Sequence, residues 1–285
     1  MIESLTIVKW PLVACVLLPW LLVYLGLHVV QRGIIFVDLA LAQVAALGTC
    51  VSLLLGYDVH HWESYAFSVG FTLAGAAIFA LTRTKHHRVP QEALIGIVYV
   101  VAAAAAILLL SKSAEGKEEL QRSLVGELLV VTPSEIGKTF ALYVVIGFVH
   151  FIFRRRFQKI TFASDEPETS GTSVRWWDFL FYALFGLVVT SFVHIGGVLL
   201  TFSYLIVPAV CANYLSHSLP AQFVIGWVVA TLASVASLYV TTEADLPIGA
   251  AIVCGLGVVL VIVAAIARFW QIGSLGRNSG LSQTR

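Results

Sequence analysis

The sequence predicts an all-α membrane protein, a polytopic helical bundle of about eight or nine transmembrane helices. Three observations predict it. Only 12% of the 285 residues are charged and the mean hydropathy is +0.92, against roughly 25% charge in soluble domains. Charge-poor runs close to 20 residues long recur, the length that crosses ~30 Å of hydrocarbon. Leu, Val, Ala and Gly fill these runs, and small residues let membrane helices approach closely.

The runs, in order, are 10–31, 33–57, 64–82, 93–111, 139–153 and 246–267. No formal charge falls between Asp178 and Glu243. The turn-like Gly196-Gly197 pair and residues 216–220 divide that stretch into spans at 179–194, 196–214 and 221–240. Pro208 is expected to bend the middle one. Asp245-Leu246-Pro247 reads as a turn with Pro starting the last span. We expect one transmembrane domain over 1–270 and a disordered, cytoplasmic polar tail over 271–285.

With the C-terminus inside, twelve basic residues face the cytoplasm and five face out, which predicts N-out, C-in. Acidic residues collect outside. That suits cations and is also ordinary for outer loops. Net charge +1 argues against a nucleic-acid partner. Cys15, Cys50, Cys211 and Cys254 each sit alone in an apolar run, without a CxxC pair, and read as small apolar filler. No cleavable signal peptide is expected.

Two connections are long. Segment 112–138 contains SLVGELLVV, too short to span and expected as a partial helix at the outer surface. Segment 154–175 is the largest inner loop, basic at its start and polar after, either a docking surface or a linker. Gly137-Lys138-Thr139 is not a phosphate loop. The motif needs another Gly where Thr132 stands, and a strand before it. No HExxH or GxSxG appears. We expect no catalytic residue and no ATP hydrolysis by this chain.

Asp38 is the sole formal charge inside the confident spans. Exposing an acid to lipid costs at least ~2.5–3.5 kcal/mol. It lies six residues past Arg32, about 9 Å along a helix. It reads either as a pathway residue or as an interfacial anchor paired with Arg32. His28 and His150 lie near inner span ends, within reach of headgroups.

Six stretches carry a resemblance. They are RGIIFVDLALAQVAALG at 32–48, EALIGIVYV at 92–100, LVGELLVVTPSEI at 124–136, KITFASDEPETSG at 159–171, GGVLLTFSYLIVPAVCA at 196–212 and DLPIGAAIV at 245–253. In this order and spacing they resemble the membrane permease of the zinc/manganese/iron class of metal-ion ABC importers.

The resemblance implies a bacterial inner-membrane subunit that forms the translocation pathway with a second permease chain, as a homodimer or with a similar subunit. It implies an extracytoplasmic metal-binding protein outside and ABC ATPase subunits inside, with ATP only on those partners. It also implies a chain surrounded by lipid with no stably bound cofactor. The implied cargo is a divalent metal ion, zinc or manganese first and iron also admitted. The loop at about 157–176 would couple to the ATPase, through Phe162, Asp165, Glu168 and Gly171, with Asp165 capping a helix and Gly171 allowing a turn.

The Asp and His that the family pattern places in the first of these stretches fall here on Leu39 and Gln43. The metal-pathway candidates are therefore Asp38, Gln43 and His194. His60, His61 and Glu63 are outer-loop candidates, although the same residues are more ordinary in a solvated loop. The alternative is a self-contained secondary transporter of a cation that uses Asp38.

Overall fold

The computed structural model describes residues 2–57, 61–82, 89–111, 126, 128–162, 172–244 and 246–281. They form ten α-helices and one short 3-10 turn. α1 (Ile2–Leu17) and α2 (Pro19–Arg32) make the first crossing, with Pro19 opening α2 where a missing N–H costs nothing. α3 (Val37–Leu54), α4 (Trp62–Thr82) and α5 (Gln91–Leu110) follow as single crossings. The 3-10 turn Leu128–Val130 precedes α6 (Pro133–Ile152). A short helix, α7 (Arg154–Phe162), leads to the long α8 (Thr172–Leu215), then α9 (Leu219–Ala244) and α10 (Ile248–Leu281). α10 continues through most of the segment expected as a tail.

α8 decides the topology. Its 44 residues would reach ~66 Å as a straight helix, twice the ~30 Å core. It is not straight. Gly197 has φ 73° and ψ 169°, outside helical space. The rings of Phe192 and Tyr204, twelve residues apart, have centroids 5.7 Å apart, where a straight helix would separate them by ~18 Å. Arg32 meets Asp178 on the first arm, while Leu27 packs with Ala209 and Ala212 on the second. Both arms thus return to one end of the bundle, and the chain reverses at Gly196-Gly197. Eight described helical segments are long and apolar enough to cross a membrane. The doubled α8 turns them into nine passes. Gly196-Gly197 and residues 216–218 divide the charge-free stretch as expected. The break falls at Gly197, and Pro208 sits inside the second arm.

α6 starts six residues before the span expected at 139–153. Thr132 and Glu135 form a capping box: Glu135 N–H donates to Thr132 Oγ1 at 3.2 Å, and Thr132 N–H donates to Glu135 Oε2 at 2.8 Å. The cap lets Glu135 and Lys138 ride the first two turns, so counting charge-free residues misses them.

α3 lies at the centre, packed by α4, α5 and α8. Hydroxyl pairs tie these helices, Ser52 Oγ to Ser64 Oγ at 2.7 Å and Thr72 Oγ1 to Thr190 Oγ1 at 3.2 Å. Gly26 permits the closest approach in the core, since a Cβ there would collide with the Leu205 carbonyl. α5 and α10 are the most exposed crossings and present apolar faces, among them Ile97, Leu108, Val258 and Val261. Cys15, Cys50 and Cys211 are buried and outside any disulfide, whereas Cys254 is exposed.

Candidate functional site

A buried polar node sits at the Arg32 end of the bundle. α2 stops there because Gly33 takes a left-handed C-cap, φ 65° and ψ 33°, and its N–H bonds Val29 and Val30 carbonyls. The Arg32 side chain turns inward. Its Nη1 donates to Asp178 Oδ1 at 3.2 Å, its Nε donates to Thr161 Oγ1 at 3.1 Å, and its Cζ lies 3.8 Å above the Phe181 ring. The Arg32 and Asp178 side chains are 6% and 0% exposed. His28 Nδ1 shares a hydrogen bond of 2.9 Å with Thr161 Oγ1.

α7 is built for this position. Phe157, Ile160 and Thr161 form its buried face, at the spacing of one helical stripe. Arg154, Arg155, Arg156 and Lys159 stay exposed. His150, at the end of α6, stacks on Phe157 at 4.3 Å and meets the Tyr24 ring edge-on at 5.5 Å. His28 and His150 are buried. Neither reaches headgroups, as their sequence positions had suggested, because α7 folds over both. Of the two readings of Asp38, the pairing with Arg32 does not form, since the Arg32 guanidinium is turned to Asp178, 146 residues further along the chain.

The α3 candidates face two ways. Asp38 is 1% exposed, and no side chain hydrogen-bonds either carboxylate oxygen. Leu39 and Gln43 share a different stripe, about 100° around the helix. Leu39 is half-buried and Gln43 buried. At the foot of α3, Phe36 stacks on Phe202 of the second α8 arm, centroids 6.3 Å apart. His194 is exposed, three residues before the Gly197 reversal.

His61 Nδ1 lies 3.8 Å from Glu63 Oε2, with the His61 side chain 68% exposed. His60 lies outside the described residues. So do Asp165, Glu168 and Gly171, while Phe162 ends α7. Among the described residues no group of three or more His, Cys, Asp or Glu comes together. The candidates among the described residues are therefore not gathered into an ion cage.

Thr161, Asp178 and Phe181 were not among the sequence candidates. Asp178 stood only as the boundary of a charge-free stretch. The available signal was its place beside Trp176-Trp177 at the mouth of a long apolar run, where a carboxylate needs a partner.

Residues 4–267 match the ABC 3 transport family. The chain belongs to this family. The resemblance to metal-ion ABC importer permeases is thus borne out, over nearly the whole chain. A "Probable metal transport system membrane protein" of Chlamydia pneumoniae is 25% identical over 90% of this chain and 91% of its own. The "Manganese transport system membrane protein MntC" of Halalkalibacterium halodurans is 23% identical over 85% and 81%. Among solved structures, "PsaBC from Streptococcus pneumoniae in complex with Fab" superposes with a TM-score of 0.75 at 21% identity, covering 92% of this chain and 93% of that one. This last likeness shows the fold. The ABC 3 chain is a multi-pass membrane permease subunit with all-α architecture.

Proposed function

We propose that this ABC 3 chain forms the transmembrane pathway of an ATP-driven importer for divalent metal, manganese or zinc first and iron also admitted. The observation that carries the reading is its end-to-end likeness to permeases named for manganese transport, over four-fifths or more of both chains. It pairs with a second permease chain, takes its ion from an extracytoplasmic metal-binding protein and borrows its energy from a separate ABC ATPase. The Arg32 end, with α7 exposing four basic residues, is the cytoplasmic end. The Gly197 end, near His194, His61 and Glu63, is the ion's entrance.

The coupling loop begins at Phe162 and runs through Asp165, Glu168 and Gly171. The node of Arg32, Asp178 and Thr161 supports this role, because it ties α7 to two crossings. Motion of α7 is then felt by α2 and α8 together. Asp38 has no side-chain partner, and burying an unpaired polar group is costly. It would accept a cargo cation when α3 opens to the pathway. Gln43, on a separate stripe of α3, and His194, at the outer end, are the further candidates to meet the ion, and His60 adds to the outer group.

The test is uptake of radiolabelled manganese and zinc in cells expressing the chain with and without a co-expressed ABC ATPase partner. Uptake that requires the ATPase supports the reading. Uptake by this chain alone would establish the alternative, a secondary transporter using Asp38.

A further inference from the structure

We propose that the groove at the Arg32 end, together with the basic face of α7, binds one anionic phospholipid. The acyl chain lies in the groove and the headgroup on Arg154 and Arg155. Leu27, Leu219, Pro220 and Phe223 give the groove apolar walls, with His28 and Gln158 at its polar side. Its volume is about 230 Å³, below the ~300–1,000 Å³ of sites that enclose a whole small ligand. It therefore takes one end of a larger amphiphile.

The position is that of a lipid. α7 begins directly after the crossing Pro133–Ile152, so it lies at the membrane boundary with its apolar stripe inward. Arg154 and Arg155 precede Gln158 by four and three residues, which puts them on the face of α7 that borders the groove. The Arg154 guanidinium lies 4.7 Å from the Phe151 ring centroid, which holds it at the span's end. Among the described residues no carboxylate pairs with Arg154, Arg155, Arg156 or Lys159. Each basic residue at an anionic leaflet strengthens attraction roughly five-fold. His28 is held against the groove by Thr161, so this wall is already formed. A basic face alone would suit an acidic protein equally well. Its continuity with an apolar groove at membrane depth favours an amphiphile. The inference stands apart from the proposed cargo and ATPase.

The test uses the purified full chain in mild detergent, titrated with dioleoyl phosphatidylglycerol or dioleoyl phosphatidylcholine, with bound lipid counted by native mass spectrometry. One phosphatidylglycerol per chain should be retained, on the order of ten-fold more tightly than phosphatidylcholine. Arg154→Gln with Arg155→Gln should abolish the preference while the protein stays folded. Leu219→Trp, or Leu27→Phe if that variant is poorly expressed, should fill the groove and weaken both lipids. Equal retention of the two lipids by wild type, or a preference that survives the double Gln variant, overturns the proposal. So does complete displacement by inorganic phosphate, which would reveal a simple anion site.

Discussion

Arg32 Nη1 lies 3.2 Å from Asp178 Oδ1, and both side chains are almost wholly buried. Through Thr161, the same guanidinium also holds α7. One side chain thus joins the end of the first crossing, the short basic helix and the start of α8. Truncating one partner leaves a buried, uncompensated charge, at about 3–5 kcal/mol. Arg32→Met or Asp178→Ala alone should lower the detergent melting midpoint sharply. Arg32→Met combined with Asp178→Leu should recover most of the loss, because an apolar pair replaces a buried ion pair almost neutrally. A double variant as unstable as either single would point to the Thr161 and Phe181 contacts instead.

Asp38 presents the opposite balance. Its carboxylate is enclosed without a side-chain partner, so Asp38→Asn should leave the melting midpoint equal or higher. Metal uptake should nevertheless fall, by at least about ten-fold if the carboxylate meets the ion in an open state. Gln43→Ala, tested beside it, should weaken uptake less, since an amide oxygen is the poorer ligand. Unaltered uptake in both variants would remove α3 from the selective step.

The reversal of α8 is braced from outside. Gly126 has φ 72°, and a Cβ there would collide with the backbone of Gly196 and Gly197. Gly33 has a similar φ of 65° with nothing within 4 Å. Gly33→Ala should cost only the ~1–2 kcal/mol of a left-handed L-residue. Gly126→Ala should cost visibly more, measured by melting in the same detergent. Equal losses would show that the loop yields freely over the Gly197 end.

Thr132 caps α6 through its reciprocal bonds with Glu135. Thr132→Ala should cost about 1 kcal/mol and speed amide exchange in the first turn of α6 while sparing its last turns. Glu135→Gln should be milder, because an amide oxygen still accepts the Thr132 N–H.

Much of the architecture was legible in the chain. Runs of apolar residues mark crossings because hydrocarbon penalises any exposed charge, whatever the neighbours. The split of α8 was legible too, since two adjacent glycines interrupt an otherwise uniform stretch. The start of α6 was not, because a capping box can carry Glu135 and Lys138 on a helix whose remainder is apolar. The site was legible only in part. Asp38 stood out as a lone acid, yet the i, i+4 stripe of Leu39 and Gln43 faces elsewhere.

Hydropathy and motif order by themselves determined the membrane bundle and the family, because both are properties of contiguous residues. Only the tertiary structure decided that Arg32 chooses Asp178 over Asp38 and that α7 packs over His28 and His150. Those outcomes depend on helix rotation and on contacts between residues more than a hundred positions apart. The energy of a buried charge is set by what surrounds it in space, and no local pattern encodes that neighbour.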